Sequence, residues 1–174
     1  MAKSTPAGGP CTLYLVRHAI AEERGSAWPD DTLRPLTTRG TRRFVAGARG
    51  LSWLGVRLDQ ILTSPLVRTR QTADVLARVN EGHPLIELVP ALAPGHEAEA
   101  TLRALAAVAH GGAVAVVGHE PGLGELAAHL IGARRPLEFR KGGICRIDVG
   151  DLSGRQAGRL VWALTPRVLR KLGT

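Results

Sequence analysis

The feature that most constrains the fold of this 174-residue chain is an uninterrupted run of five apolar residues, Ala113–Val117. A strand that is apolar on both sides is typical of the middle of a parallel sheet, where helices cover both faces. Three earlier β-rich runs, Thr12–Val16, Gln60–Thr63 and Pro84–Val89, are separated by segments with helical spacing of apolar residues. This alternation predicts an α/β fold: a three-layer α/β/α sandwich with a mostly parallel central sheet and helices on both faces.

Capping residues indicate where two of the helices begin. Thr37 or Thr38 offers an N-cap for the helix that follows the first long loop. Ser64 and Pro65 together offer an N-cap and a proline at the first helical position. After the buried strand and its helix, the pattern predicts short C-terminal strands with glycine turns at Leu137–Arg140, Gly143–Val149 and Arg159–Leu164.

The composition is that of one soluble domain. Hydrophobic residues make up 44% of the chain, and no apolar run approaches the roughly 18 residues of a membrane-spanning helix. Residues 1–10 lack the apolar core of a signal peptide, and two cysteines, Cys11 and Cys145, are too few for a disulfide framework. We therefore expect a flexible tail at 1–11, a single domain at 12–174 and a cytoplasmic location.

The charge balance points to an anionic partner. There are 23 basic and 15 acidic residues, a net charge of +8. Aromatic residues make up only 3% of the chain, too few for the stacking platforms of a single-stranded nucleic-acid surface. The excess of arginine thus fits a site for an anion, and the positions of particular arginines, described next, lead us to expect a phosphate-bearing substrate. Neither nucleic acid nor a membrane is expected as the partner.

Basic residues occur where predicted strands end. Arg17 and His18 follow the first strand, Arg68 lies in the first turn after the second, and His119 follows the buried strand. In open α/β sheets, ligands bind beyond the carboxyl ends of the strands, where residues distant in sequence converge. Helix N-termini at the same place favour an anion. The sequence therefore predicts a phosphate site.

Four segments, in order along the chain, resemble the motifs of the histidine phosphatase superfamily, and in particular its short SixA-type phosphohistidine phosphatases. They are Leu15-Val16-Arg17-His18-Ala19, then Arg34-Pro35-Leu36-Thr37 followed by Gly40, then Ser64–Ala73, then Val117-Gly118-His119-Glu120-Pro121. Ala19 stands where many members have Gly. The resemblance runs from about Thr12 to Gly150 and implies a phosphoglycerate mutase-like fold.

The resemblance also implies roles for individual residues. The implied catalytic residues are Arg17, His18, Arg68 and His119, and the implied substrate-binding residues are Arg34 and Thr37. His18 would be the nucleophile that becomes phosphorylated, and the other three catalytic residues would hold the phosphoryl oxygens. A purely structural role is an equally good interpretation for both substrate-binding candidates: Arg34 in a loop turn and Thr37 as a helix N-cap. No metal and no cofactor are expected, because the arginines already supply positive charge.

One departure from the family concerns the general acid. Larger members use a carboxylate from a loop beyond the second motif, whereas Pro90–Pro94 contains none. The nearby candidates are Glu22, Glu87, Glu97 and Glu120, and the alternative is that the chain supplies no general acid. An imidazole leaving group needs such an acid less than an alkoxide does, because solvent readily protonates the imidazole nitrogen.

We therefore predict a metal-independent phosphatase that acts on phosphohistidine in proteins through a phosphohistidine enzyme intermediate. One alternative is a small-molecule or nucleotide phosphomonoesterase of the same superfamily. The other is a basic module that binds phosphate or nucleic acid without turnover.

Overall fold

A six-stranded sheet lies at the centre of residues 9–173, the part of the chain that the computed structural model describes. Its strands are β1 (Cys11–Arg17), β2 (Gln60–Thr63), β3 (Leu85–Leu88), β4 (Ala113–Gly118), β5 (Ile144–Val149) and β6 (Arg159–Leu164). The helices are α1 (Thr38–Trp53), α2 (Val67–Val79), α3 (Ala98–Val108), α4 (Gly122–Ile131) and α5 (Pro166–Leu172). None of the helices in this part of the chain is long and apolar enough to cross a membrane.

The sheet has the order β3-β2-β4-β1-β5-β6. The first four strands in that order are parallel, while β5 and β6 add two antiparallel strands at one side. The predicted fold class is therefore confirmed. The predicted tail at residues 1–11 stays a prediction, because residues 1–8 lie outside the described residues and Cys11 already belongs to β1.

Side chains on β1 alternate between two hydrophobic cores, one on each face of the sheet. Leu13 and Leu15 pack with buried residues of α3 and α4. Tyr14 and Val16 pack with buried residues of α1, α2 and α5. β4 lies between β1 and β2, and its residues Val114–Val117 are fully buried. The uninterrupted apolar run in the sequence thus reflects a strand that is covered on both faces.

Strand register brings the chemistry-bearing residues to one edge. Arg17 at the end of β1 pairs with Gly118 at the end of β4, and Thr63 at the end of β2 pairs with Val117. Since the three strands are adjacent and parallel, the residues that follow them, among them His18 and His119, emerge side by side.

The predicted cap at Ser64 is wrong. α2 begins at Val67, its N-cap is Leu66, and no side chain caps it. The Ser64 hydroxyl oxygen accepts from the N–H of Leu66, before the first residue of the helix, at 3.4 Å, and it lies 3.0 Å from Nε2 of His119. The hydroxyl that local capping rules assign to the helix therefore bonds to the residue before the helix and to a distant histidine.

The predicted strand at Leu137–Arg140 is also wrong, because its backbone groups bond elsewhere. The Leu137 N–H donates to the carbonyl of Gly124 in α4, and the Phe139 N–H donates to the Glu120 carboxylate. This segment is therefore fixed against the loop after β4 and the helix that follows it, and does not join the sheet.

Candidate active site

A cavity of about 390 Å³ opens at the carboxyl edge of β1, β2 and β4. Its lining residues are Arg17, His18, Ala21, Glu22, Glu23, Arg24, Arg34, Arg68, Pro94, His119, Glu120 and Lys141. The structure thus brings all four predicted catalytic residues into one cavity, together with Arg34.

His18 is held in an orientation that suits a nucleophile. Its Nδ1 lies 2.7 Å from the Ala19 carbonyl oxygen, so Nδ1–H donates and Nε2 keeps its lone pair. Burial, with the positive charges of Arg68, Arg17 and Lys141, lowers the pKa of His18 from 6.5 to about 4. At neutral pH the imidazole is therefore uncharged and able to attack phosphorus.

His119 lies beside His18, with 5.2 Å between the ring centroids. Its Nε2 lies 3.0 Å from the Ser64 hydroxyl, whereas its Nδ1 is buried without a hydrogen-bond partner. Burial, followed by the charges of His18 and Arg68, lowers the pKa of His119 to about 3. The second histidine is thus also neutral near pH 7 and has one ring nitrogen to offer a ligand.

The two predicted phosphate arginines are fixed by carbonyl and carboxylate oxygens. Nη1 of Arg17 donates to the Phe139 carbonyl at 2.5 Å. Nη1 of Arg68 donates to the Asp31 carbonyl at 2.7 Å, and its Nη2 donates to the Asp31 carboxylate at 3.0 Å. Both arginines retain a buried Nε–H that has no acceptor.

Most of these unpaired groups belong to residues that line the cavity. Among residues 9–173, four buried side-chain nitrogen or oxygen atoms lack a hydrogen-bond partner, and three of them are Nε of Arg17, Nε of Arg68 and Nδ1 of His119. Buried polar groups are paired in the large majority of cases. A tetrahedral oxyanion, which can accept several hydrogen bonds at once, fits such a set of groups.

The two predicted substrate-binding residues differ in position. Arg34 is buried and lines the cavity, with Nε donating to Asp31 at 2.8 Å and Nη1 donating to the Glu22 carbonyl at 2.6 Å. Thr37 does not line the cavity. Its hydroxyl oxygen accepts from the Gly40 N–H at 2.8 Å and caps α1, as the alternative interpretation of the sequence has it.

Two cavity-associated residues were missed in the sequence. Lys141 lines the cavity and precedes Gly142, whose N–H lies 3.1 Å from the carbonyls of both Arg17 and His18. No sequence signal marks it. Asp31 contacts Arg34 and Arg68, and its spacing of three residues before Arg34 is a signal that could have been used.

The four candidate general acids separate into two groups. Glu22 and Glu120 line the cavity, whereas Glu87 and Glu97 do not. The Glu120 carboxylate accepts from the Phe139 N–H at 2.8 Å, and burial raises its pKa. Glu22 and Glu120 are thus the carboxylates, among the four, that can approach a bound substrate.

Comparisons with known proteins agree with this geometry. A model of the histidine phosphatase superfamily (branch 1) matches residues 13–93. An uncharacterized protein of Picosynechococcus sp. is 38% identical over 143 residues, which cover 79% of this chain and 85% of the relative. A phosphohistidine phosphatase SixA homolog of Haemophilus influenzae is 31% identical, with 73% of this chain and 81% of the relative covered.

A solved structure indicates the same family as the sequence comparisons. The protein histidine phosphatase SixA complexed with tungstate is 29% identical and superposes with a TM-score of 0.76, covering 91% of this chain and 99% of that one. The chain therefore belongs to the histidine phosphatase superfamily, as a SixA-type member, and is a phosphatase.

Proposed function

We propose that this phosphatase removes phosphoryl groups from phosphohistidine in proteins, and that it does so through a phosphorylated His18. The observation that carries the proposal is the composition of the cavity. His18 is neutral with Nε2 free, and it lines the cavity together with Arg17 and Arg68, each of which has an unpaired Nε–H. A nucleophile and preorganised donors for phosphoryl oxygens are the two parts that phosphoryl transfer requires.

In the first step, the lone pair on Nε2 of His18 forms a bond to phosphorus while the bond from phosphorus to the substrate's imidazole nitrogen breaks. The leaving nitrogen takes a proton from solvent. Arg17, Arg68 and His119 hold the equatorial oxygens, on which charge accumulates in the transition state. In the second step, water attacks the phosphoryl group, the bond to Nε2 breaks, and His18 returns to its neutral form as inorganic phosphate leaves.

Phosphohistidine as substrate is supported by the leaving group and by the relatives. An imidazole nitrogen is protonated from solvent, so the first step makes little demand on Glu22 or Glu120. The Haemophilus influenzae relative is named as a homolog of a phosphohistidine phosphatase, and the solved SixA structure is named as a protein histidine phosphatase.

Glu120 favours a second candidate, a small phosphomonoester as substrate. Its carboxyl group lines the cavity and has a pKa raised by burial, so it could protonate an alkoxide leaving group. The third hypothesis, a basic module without turnover, is not retained because the chain belongs to a phosphatase family.

The test is a comparison of kcat/KM for a phosphohistidine-bearing protein, an aryl phosphate and a panel of sugar phosphates, all with EDTA present. We expect the phosphohistidine protein to be preferred, and we expect Glu120→Gln to leave its turnover unchanged. Preference for a sugar phosphate, with that turnover lost in Glu120→Gln, would establish the second candidate instead.

The same assays test the nucleophile and the metal independence. Wild-type protein that is quenched during turnover of a radiolabelled substrate should carry label on His18, and His18→Ala should carry none. Among residues 9–173, no three His, Cys, Asp or Glu side chains are grouped to hold a metal ion. Activity that EDTA abolishes and Mg²⁺ restores would contradict the prediction of a metal-independent enzyme.

A further inference from the structure

Asp31 connects three arginines around the cavity. Its carboxylate lies 2.8 Å from Nε of Arg34, 3.0 Å from Nη2 of Arg68 and 3.2 Å from Nε of Arg24. Arg34 and Arg68 are buried, whereas the Arg24 side chain is 76% exposed and lies at the rim. One carboxylate therefore joins two inner arginines to one at the entrance.

The contact with Arg68 fixes a particular edge of its guanidinium group. Asp31 accepts from Nη1 through its main-chain carbonyl and from Nη2 through its carboxylate, so it occupies the end of the group farthest from the side-chain stem. The side edge, with Nε–H, stays unpaired. Because the five N–H donors of arginine have a fixed planar arrangement, holding one edge sets the direction of the other.

Asp31 acts from outside the cavity. It does not line the cavity, whereas all three arginines that it contacts do. The hydrogen bond from Arg34, together with the charges of Arg68, Arg34 and Arg24, keeps the pKa of Asp31 below its usual value. The residue thus carries a negative charge behind the arginines near neutral pH.

The local turn does not require this carboxylate. Asp31 begins the 3₁₀ turn Asp31–Leu33, but the side chain that caps the turn belongs to Asp30, which accepts from the Thr32 N–H at 2.9 Å. Asp30 is exposed and has no arginine contact among the ion pairs of the described residues. The two neighbouring aspartates thus have different contacts: the Asp30 side chain caps the turn, and the Asp31 side chain binds the arginines.

We propose that Asp31 is a positioning residue for phosphoryl transfer, which clamps the end of the Arg68 guanidinium so that its Nε edge is presented to the phosphoryl oxygens. The proposal rests on the phosphate-binding role of Arg68 in the proposed function. It does not depend on whether the substrate is phosphohistidine or a phosphomonoester.

The first experiment compares Asp31→Asn with the matched control Asp30→Asn, using an aryl phosphate. Misplacing a transition-state group by about 1 Å costs on the order of 10²-fold in rate, so we expect kcat of Asp31→Asn to fall by roughly 10- to 100-fold. Asp30→Asn should stay within about twofold. The inhibition constant of inorganic phosphate should not rise in Asp31→Asn, because removing an anion near the cavity does not oppose binding of another anion.

A second experiment separates positioning from a general loss of structure. In Arg68→Lys the new side chain has one nitrogen, so Asp31 can no longer hold it at two. Adding Asp31→Asn to Arg68→Lys should therefore lower kcat little further, and the two losses of activation free energy should not add. If Asp31→Asn also lowers the melting temperature, Asp31→Glu should recover part of kcat, since it restores the charge.

Three results would overturn the proposal. The first is a kcat for Asp31→Asn equal to that of Asp30→Asn. The second is a loss of kcat in the variant with both Arg68→Lys and Asp31→Asn that equals the sum of the two single losses of activation free energy. The third is a parallel loss of kcat and phosphate affinity in Asp31→Asn that Asp31→Glu does not reverse. If Arg68→Lys itself has wild-type kcat, the proposed role of Arg68 fails as well. If Arg68→Lys lowers kcat as expected and Asp31→Asn does not, only the proposed role of Asp31 fails.

Discussion

Burial of two neutral imidazoles should make the stability of this protein depend on pH. The pKa of His18 is lowered from 6.5 to about 4, mainly by burial, so the unfolded chain binds a proton in this interval that the folded chain does not. Because the unfolded state then binds more protons, the free energy of unfolding falls as the pH is lowered from about 6.5 toward 4. His119, whose pKa is about 3, acts in the same direction.

The size of the effect follows from the two pKa values of His18. A difference of one in pKa corresponds to about 1.4 kcal/mol, so the change from 6.5 to about 4 corresponds to about 3 kcal/mol. That loss is a large fraction of the roughly 5–15 kcal/mol by which domains are stable. The full loss is reached only below pH 4, so replacing His18 with a side chain that does not titrate should preserve about 2 kcal/mol of stability at pH 4.5, relative to neutral pH.

The measurement is urea unfolding of wild type, His18→Gln and His96→Gln at several pH values between about 7 and 4.5, in buffer without phosphate. His96 is exposed and serves as the control. Carboxylates titrate equally in all three proteins, so the difference between two curves isolates one histidine. Parallel curves for wild type and His18→Gln would refute the argument that buried, uncharged His18 makes the fold sensitive to acid.

Three further predictions concern individual side chains. Arg68→Ala should lower kcat by about 10²- to 10³-fold, whereas Arg70→Ala, at an exposed ion pair, should keep near wild-type kcat in the same assay. Thr37→Ala should lower the free energy of unfolding by about 1 kcal/mol in urea titrations, through loss of the α1 cap, and leave KM unchanged. Gly50→Ala should lose about 1–3 kcal/mol by the same method, because its Cβ would lie 2.1 Å from a carbonyl oxygen of α5. Gly47→Ala, with its nearest contact at 3.7 Å, is the matched control and should not lose stability.

The sequence was sufficient for features that depend on local pattern. The apolar run at Ala113–Val117 and the β-rich run at Thr12–Val16 placed two central strands, and Thr37 marked the start of α1. Arg17 and His18 could be assigned to the strand edge because the end of a β-rich run is visible in the chain itself.

The sequence was insufficient where a distant partner decides the outcome. Ser64 satisfies the local rule for a helix cap, yet its hydroxyl bonds to His119, 55 residues away. Asp31 stands in a polar loop, and its contact with Arg68 joins residues 37 apart. Neither partner can be chosen from spacing alone, because the choice follows from how the strands are ordered in the sheet.

The order of the strands also determines what fraction of the protein is needed to bind an anion. The contacts that fix the cavity join residues far apart, such as Arg17 and Phe139, which are separated by 122 positions. Contacts of this range form only when most of the chain has folded. On the proposed function, we therefore expect affinity for phosphate to be gained and lost together with the whole domain, and dissolved phosphate should stabilise that domain as a unit by mass action.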